Sequence, residues 1–116
     1  MRVSHVFAGV PVADYEAALA WYERLMGRPP DGVPNDREAV WQLAESGLIY
    51  VVADAPRAGG ALVTLIVPDL DAKLAELDGR GLRPEAIEEL PGAGRKAAIT
   101  DPEGNTISLA ELSGGD

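Results

Sequence analysis

The chain has 116 residues, a formal net charge of −9 and no cysteine. This length suits one compact domain, or two very small modules that share a core, and a hydrophobic content of 47% excludes a disordered chain. The lack of cysteine excludes disulfides, thiol nucleophiles and thiolate metal sites, and the negative charge with scattered basic residues argues against nucleic-acid binding.

The first half of the chain predicts a strand, a helix and a hairpin in that order. Residues 3–12 have strand composition, and Asp14 is a suitable N-cap for the helix that follows. Gly27 and Pro29 end that helix. Its apolar residues recur with helical spacing on a single stripe, made of Ala18, Trp21, Tyr22, Leu25 and Met26. Residues 28–37 form a loop with a short edge strand, and residues 39–44 and 48–53 pair as a hairpin.

The second half repeats this pattern after a linker at residues 56–60. Residues 61–67 read as a strand, Asp69 as an N-cap, and Gly81 as the end of a helix. A weak strand covers residues 85–90, and a final hairpin turns at residues 101–105. Val12-x-Asp14 recurs as Val67-x-Asp69, which predicts two tandem β-α-β-β-β modules, residues 1–55 and 61–113, in one domain over residues 1–116.

The predicted fold class is α+β, with both amphipathic helices covering one face of the sheet. Alternation along each strand separates the residues that face the helices from those that line a cleft. Val6, Ala8 and Val10 lie on one side of the first strand, and His5, Phe7 and Gly9 on the other. The set that contains His5, Thr64 and Ser108 is the more polar one, which makes it the expected cleft.

Four segments together resemble the vicinal oxygen chelate superfamily. They are the first strand with His5, residues 14–27, the Val67-Pro68-Asp69-Leu70 opening and residues 101–109. This superfamily includes glyoxalase I, extradiol dioxygenases and bleomycin-resistance proteins. The resemblance implies two modules whose strands curl into a half-open cup, and it implies a homodimer, since many relatives complete the cup with a second chain.

The resemblance also places the metal ligands of the family's enzymes on the first and last strand of each module. In this sequence those positions are His5, Tyr50, Leu62 and Ser108. Imidazole and carboxylate groups are the usual ligands of the divalent metals that the family uses. Only His5 matches, so we expect neither a metal nor another cofactor.

Several side chains are candidates for contact with a ligand in the cup. Tyr50 and Trp41 form an aromatic wall or pack between strands, and both readings stay open. His5 is either a hydrogen-bonding group in the cleft or a strand residue without a special role. Arg95 either reaches an anionic group of a ligand or is a solvated residue at a strand end.

The leading functional hypothesis is a metal-free protein that holds a small aromatic or cationic molecule. The expected lining combines apolar, aromatic and hydroxyl side chains with one arginine: His5, Phe7, Trp41, Tyr50, Leu62, Thr64, Arg95 and Ser108. One alternative is a metal-dependent lyase, isomerase or dioxygenase with extra ligands from Glu38, Glu45 or Asp54, so whether the chain is an enzyme stays open. Another is a regulatory or structural module. No apolar run approaches a membrane helix and no leader is evident, so we expect a cytoplasmic protein without a membrane or nucleic-acid partner.

Overall fold

The computed structural model describes residues 1–113. Their elements follow in the order β1 (Val6–Val12), α1 (Tyr15–Met26), β2 (Gly32–Asn35), β3 (Glu38–Ala44), β4 (Gly47–Ala53), a short 3-10 helix (Ala55–Arg57), β5 (Leu62–Ile66), α2 (Leu70–Gly79), β6 (Ala86–Leu90), β7 (Gly94–Thr100) and β8 (Thr106–Leu112). The predicted α+β class with two β-α-β-β-β modules is confirmed. The first module is β1 to β4 with α1, and the second is β5 to β8 with α2. Neither helix of these residues is long and apolar enough to span a membrane.

The strands form two sheets with the same topology. The first sheet has the order β1-β4-β3-β2 and the second has the order β5-β8-β7-β6. In each sheet the first strand of the module runs parallel to the last, and the other pairs are antiparallel. Within residues 1–113, β1 and β5 therefore each pair on one side only and leave the other edge without a strand partner.

Local sequence signals set the ends of the helices. Asp14 accepts a hydrogen bond from the Ala17 amide at 3.1 Å, and Asp69 accepts one from the Ala72 amide at the same distance. Gly27 closes α1 with φ 77°, a left-handed conformation that glycine adopts without steric cost. The last residue of α2 is Gly79, and Gly81 closes the helix as predicted: it has φ 79°, and the amides of Gly81 and Leu82 donate to the carbonyl groups of Asp78 and Leu77.

Alternation along the strands gives each sheet a helix face, covered by its helix, and an opposite open face. On the helix faces, fully buried apolar side chains from both modules join the helices in one hydrophobic cluster, which includes Val10, Val12, Trp41, Val51, Ala97 and Ile107. On the open faces many apolar side chains keep more than half of their area exposed, such as Phe7 and Leu62. The core therefore lies on the helix side, and the open faces are available for contacts.

The turn between β7 and β8 ties the two modules together. Asn105 is fully buried, and its side-chain amide donates to the Pro11 carbonyl at 2.9 Å. The Tyr22 hydroxyl donates to Asp101 at 2.8 Å, and burial together with this bond raises the pKa of Tyr22 far above its usual range. We call this junction the sealed end of the seam between the modules. Asp101 and Asn105, which the sequence predicts only as residues of a local turn, thus also make long-range contacts.

Candidate functional site

The open face of the first module carries a pair of aromatic side chains. Phe7 on β1 is 57% exposed and Tyr50 on β4 is half-buried. Their ring centroids lie 6.5 Å apart with an interplanar angle of 56°. Ring pairs at this spacing interact favourably while leaving their outer surfaces free for a third ring or a cation. With Gly9 they form what we call the aromatic patch.

Gly9 allows the Tyr50 ring to lie across β1. The two residues are register partners in the parallel β1–β4 pair. A Cβ atom added at Gly9 would lie 2.6 Å from both Cζ and the hydroxyl oxygen of Tyr50, closer than real contacts allow. The side chain of Tyr50 therefore occupies the space that glycine leaves empty. Sequence reasoning missed this role, although a glycine inside a strand is a known sign of close approach.

The open face of the second module carries hydroxyl and apolar groups in place of aromatic ones. Thr64 on β5 and Ser108 on β8 are register partners, so their side chains lie side by side on the same face. Leu62, two residues before Thr64, shares that face and is 84% exposed, whereas Ser108 is buried. We call Leu62, Thr64 and Ser108 the hydroxyl patch. The alternation predicted for β1, β5 and β8 matches these positions.

His5 lies just before β1, because the β1–β4 ladder begins at Val6. The His5 side chain is exposed, and its Nδ1 atom lies 3.1 Å from the Ser4 hydroxyl. The first strand is therefore shorter than the predicted residues 3–12. His5 adjoins the start of the aromatic patch but is outside the ladder that positions Phe7 and Tyr50.

Trp41 does not share the open face with Tyr50, so the expected aromatic wall of these two residues is wrong. The register partner of Trp41 on β4 is Ile49, whereas Tyr50 pairs with Val40. Trp41 therefore points to the helix face, where it is fully buried. Its indole nitrogen donates to the Arg28 carbonyl at 3.1 Å, which satisfies the one polar atom of the ring.

Arg95 also lies on the helix face, which corrects its placement as a group facing the cup. It pairs in register with Glu111, and its guanidinium contacts Asp71 at 3.1 Å and Glu111 at 4.0 Å. Glu111 in turn accepts a hydrogen bond at 2.8 Å from the amide of Leu70, the first residue of α2. This chain of contacts holds the start of α2 against the second sheet. The physical reason is parity, since Arg95 lies two and four residues before the buried Ala97 and Ile99 and therefore shares their face of β7.

The donor groups on the open faces do not fit a divalent metal. The positions implied by the resemblance hold an imidazole, a phenol, an alkyl chain and a hydroxyl, from His5, Tyr50, Leu62 and Ser108. Such ions need several imidazole, carboxylate or thiolate ligands that converge on one point. Within residues 1–113 no three His, Cys, Asp or Glu side chains come together in such a group. That statement includes Glu38, Glu45 and Asp54, the additional ligands considered above.

A cavity of about 580 Å³ lies along the seam between the modules; none of the aromatic patch lines it, and Thr64 of the hydroxyl patch is at its border. Its walls combine apolar residues from both helix faces, including Val6, Ala8, Leu25, Val63 and Leu109. Three charged residues also line it: Lys73 and Glu76 of α2, and Arg80, the C-cap of that helix. We call this cavity the seam groove. Sequence reasoning did not predict it, because it depends on how the two modules pack against each other.

Comparison with known proteins identifies what the chain resembles. The family model of the glyoxalase/bleomycin resistance protein/dioxygenase superfamily matches residues 2–109. A search of curated proteins finds no match. Among solved structures, a glyoxalase/bleomycin resistance protein from Catenulispora acidiphila is 44% identical with a TM-score of 0.89, and the alignment covers 94% of this chain and 98% of that one.

Two further solved structures are described by the molecules that they bind. An antibiotic-binding protein from a Streptomyces species is 29% identical with a TM-score of 0.76, over 97% of this chain and 99% of that one. A bleomycin-binding protein in complex with bleomycin is 22% identical with a TM-score of 0.74, over 94% of this chain and 98% of that one. The second of these likenesses concerns the fold alone.

Proposed function

Since the chain belongs to the glyoxalase/bleomycin resistance protein/dioxygenase superfamily, we propose that it is a metal-independent binding protein for a small aromatic or cationic molecule. The ligand lies against the open face of the first module, and the hydroxyl patch of a second copy of this chain completes the site. No catalytic step is part of the proposal, because the donor groups on these faces do not fit the metal of the family's enzymes.

The aromatic patch is the observation that carries this proposal. Phe7 exposes more than half of its area, and its neighbour Tyr50 lies across a glycine that leaves room for the ring. Contiguous exposed aromatic surface on a soluble protein marks a contact site more often than it serves stability. A cation or a planar ring placed over these side chains gains about 0.5 to 2 kcal/mol from each favourable contact.

The charge of the chain favours a cationic ligand. The net charge of −9 attracts cations over a distance set by the ionic strength. The described relatives support a small-molecule role, because one is an antibiotic-binding protein at 29% identity. We therefore choose bleomycin, a molecule bound by another structural neighbour, as the first probe. Its association rate should fall as salt is added if the charge steers it.

A second copy of this chain is the proposed partner that completes the cup. Within residues 1–113, β1 and β5 each present one edge without a strand partner. Apolar side chains on the open faces of these two strands are exposed, with Phe7 at 57% and Leu62 at 84%. Unprotected apolar edges favour pairing with another chain. A homodimer is therefore part of the proposal, and the cytoplasm is the location that we propose for it.

Isothermal titration with bleomycin tests the proposed function. We expect saturable binding that Tyr50→Ala weakens by about tenfold or more, a loss that corresponds to about 1.4 kcal/mol. Tyr50→Phe retains the ring and should keep most of the affinity. Gly9→Ala should weaken binding because the new methyl group displaces the Tyr50 ring. Gly32→Ala is the matched control, since a methyl group there meets no atom within 4 Å.

Metal content distinguishes this proposal from the enzyme alternative. The purified protein is analysed for Mn, Fe, Co, Ni and Zn, and its melting temperature is measured with and without a chelator. Stoichiometric metal together with a lower melting temperature after chelation would refute the metal-independent site. Absence of saturable binding for bleomycin and for a panel of aromatic cations would refute the proposed ligand class.

A further inference from the structure

The seam groove exists because the two modules fill equivalent positions of their helices differently. The caps Asp14 and Asp69 define a spacing of 55 residues between equivalent positions. Four buried side chains of α1 are Ala18, Trp21, Tyr22 and Leu25. Their equivalents in α2 are Lys73, Glu76, Leu77 and Arg80, and all four line the groove. Where α1 has Trp21 and Tyr22, α2 has the smaller Glu76 and Leu77. The volume that the two aromatic rings fill in the first module is therefore open in the second.

The charged groups of the groove leave one positive charge without a carboxylate. Lys73 pairs with Glu76 at 3.2 Å, so these two charges offset each other. The Arg80 guanidinium donates to the carbonyl groups of Arg24 and Leu25 at the end of α1. Within residues 1–113 it has no carboxylate at salt-bridge distance. Its position is fixed by these bonds, while its charge is available to an anion.

The walls of the groove are apolar and come from both modules. Val6 and Ala8 of β1 and Val63 and Leu65 of β5 all line it. Its volume of about 580 Å³ lies within the range of small-molecule sites, about 300 to 1,000 Å³. An apolar body between these walls would remove exposed hydrocarbon from water, most of all at Val6, which is 60% exposed.

We propose that the seam groove binds a free amphipathic carboxylate, such as a medium-chain fatty acid. The hydrocarbon chain lies between the two modules, and the carboxylate lies at Arg80, whose positive charge has no carboxylate partner within residues 1–113. This site is separate from the aromatic patch and takes a ligand of the opposite charge. It goes beyond the proposed function, and neither depends on the other.

Decanoate, used below its micelle concentration, is the probe, with decyltrimethylammonium as the cation of equal chain length. Titration calorimetry measures the affinity of each, and NMR chemical-shift changes locate the site. We expect saturable decanoate binding that changes the chemical shifts of Ala8 and Val63 and leaves those of Phe7 and Tyr50 unchanged. We expect decyltrimethylammonium to bind at least fivefold more weakly, because the groove is positively charged.

Charge-reversal variants test the assignment of the carboxylate. Lys73→Glu should weaken decanoate roughly fivefold or more, because it changes the summed charge of Lys73, Glu76 and Arg80 from +1 to −1. Lys96→Glu is the matched control, since it makes the same change on β7 and lies outside the groove. Ala8→Leu should weaken decanoate by filling the groove. Tyr50→Ala should weaken bleomycin binding by about tenfold or more and leave decanoate binding intact, which separates the two proposals.

Four results would overturn the assignment. The first is an absence of decanoate binding at millimolar concentration. The second is equal weakening by Lys73→Glu and Lys96→Glu, and the third is a set of chemical-shift changes centred on the aromatic patch. The fourth is a change of oligomeric state, measured by light scattering, when Ala8→Leu is introduced or decanoate is added, because the groove would then be an interface between two copies.

Discussion

The Asn105→Ala substitution tests whether the turn between β7 and β8 holds the two modules together. The Asn105 side chain accepts from the Ala61 amide at 2.9 Å and donates to Pro11 and Asp101, each also at 2.9 Å. Alanine removes all three bonds and leaves one backbone donor and one backbone acceptor without their partner. Each such group costs about 1 to 3 kcal/mol when buried. We expect the free energy of unfolding to fall by about 2 to 5 kcal/mol.

Urea denaturation followed by tryptophan fluorescence measures this loss. A domain of this size is stable by about 5 to 15 kcal/mol, so the midpoint should shift clearly while the m-value stays unchanged. Asn35→Ala is the control, because Asn35 is exposed and loses only its turn bonds with Arg37 and Glu38, whose partners stay accessible to water, so its loss should be smaller, at about 1 kcal/mol or less. A loss below about 1 kcal/mol for Asn105→Ala would refute the role of this network.

The Asn105→Asp variant separates the two functions of the amide. Aspartate keeps an acceptor for the Ala61 amide but replaces the donor with a second carboxylate oxygen. That oxygen would face the Pro11 carbonyl and the Asp101 carboxylate. We expect a larger loss than for alanine at neutral pH and partial recovery in mild acid, where the new carboxyl is protonated and donates again. Equal stability of the two variants at all pH values would contradict this reading.

Three further substitutions have clear expected outcomes. Gly94→Ala should destabilise the protein by roughly 3 kcal/mol or more, measured by urea denaturation, because Gly94 has φ 141° and its Cβ would lie 2.0 Å from the Glu111 carbonyl oxygen. Trp41→Ala should cost about 3 to 5 kcal/mol in the same assay, since it empties a fully buried site. The raised pKa of Tyr22 means that its neutral form contributes stability that is complete below pH 10 and is lost as the pH rises above its ordinary value of 10.0. Melting temperatures from pH 8 to 11 should therefore fall less steeply for Tyr22→Phe than for the unmodified chain.

Local signals in the sequence predicted the elements because they act over a few residues. Asp14 and Gly27 bound α1 as expected, and the turn at residues 101–105 forms between β7 and β8. Alternation also sorted β1, β5 and β8 into the observed faces. These features depend on backbone geometry and side-chain periodicity, which a single sequence contains. For that reason the fold could be predicted from the sequence alone.

The candidate site was less predictable because it depends on register between strands. Trp41 and Tyr50 both have strand periodicity, but only their partners Ile49 and Val40 show that they face opposite ways. A shift of one residue would exchange the two faces. For Arg95 the sequence contained a better local signal, since Arg95 is at the same parity as Ala97 and Ile99, two apolar residues of its own strand that are buried. The close approach of Gly9 and Tyr50 likewise appears only when β1 and β4 are paired.

Polar residues of the β7–β8 turn show a different limit of sequence reasoning. Asp101 and Asn105 have the composition of an ordinary turn, and both are indeed in one. Yet Asp101 accepts from Tyr22, 79 positions earlier, and Asn105 donates to Pro11, 94 positions earlier. The residue types of a turn do not show whether the turn is exposed to solvent or buried against another part of the chain. The contacts become visible only when the two modules are docked.

The two ends of the seam between the modules differ in packing, and this difference separates the residues that determine stability from those that determine binding. At the sealed end, the β7–β8 turn inserts Asp101 and Asn105 against the first module, whose α1 presents a buried Tyr22. At the groove end, α2 presents Lys73 and Glu76 in place of such aromatic bulk, and the modules enclose open volume. Substitutions at the sealed end should therefore change stability far more than ligand affinity. Substitutions of the half-exposed Lys73 should do the reverse, because its pair with Glu76 is solvated and contributes little to folding.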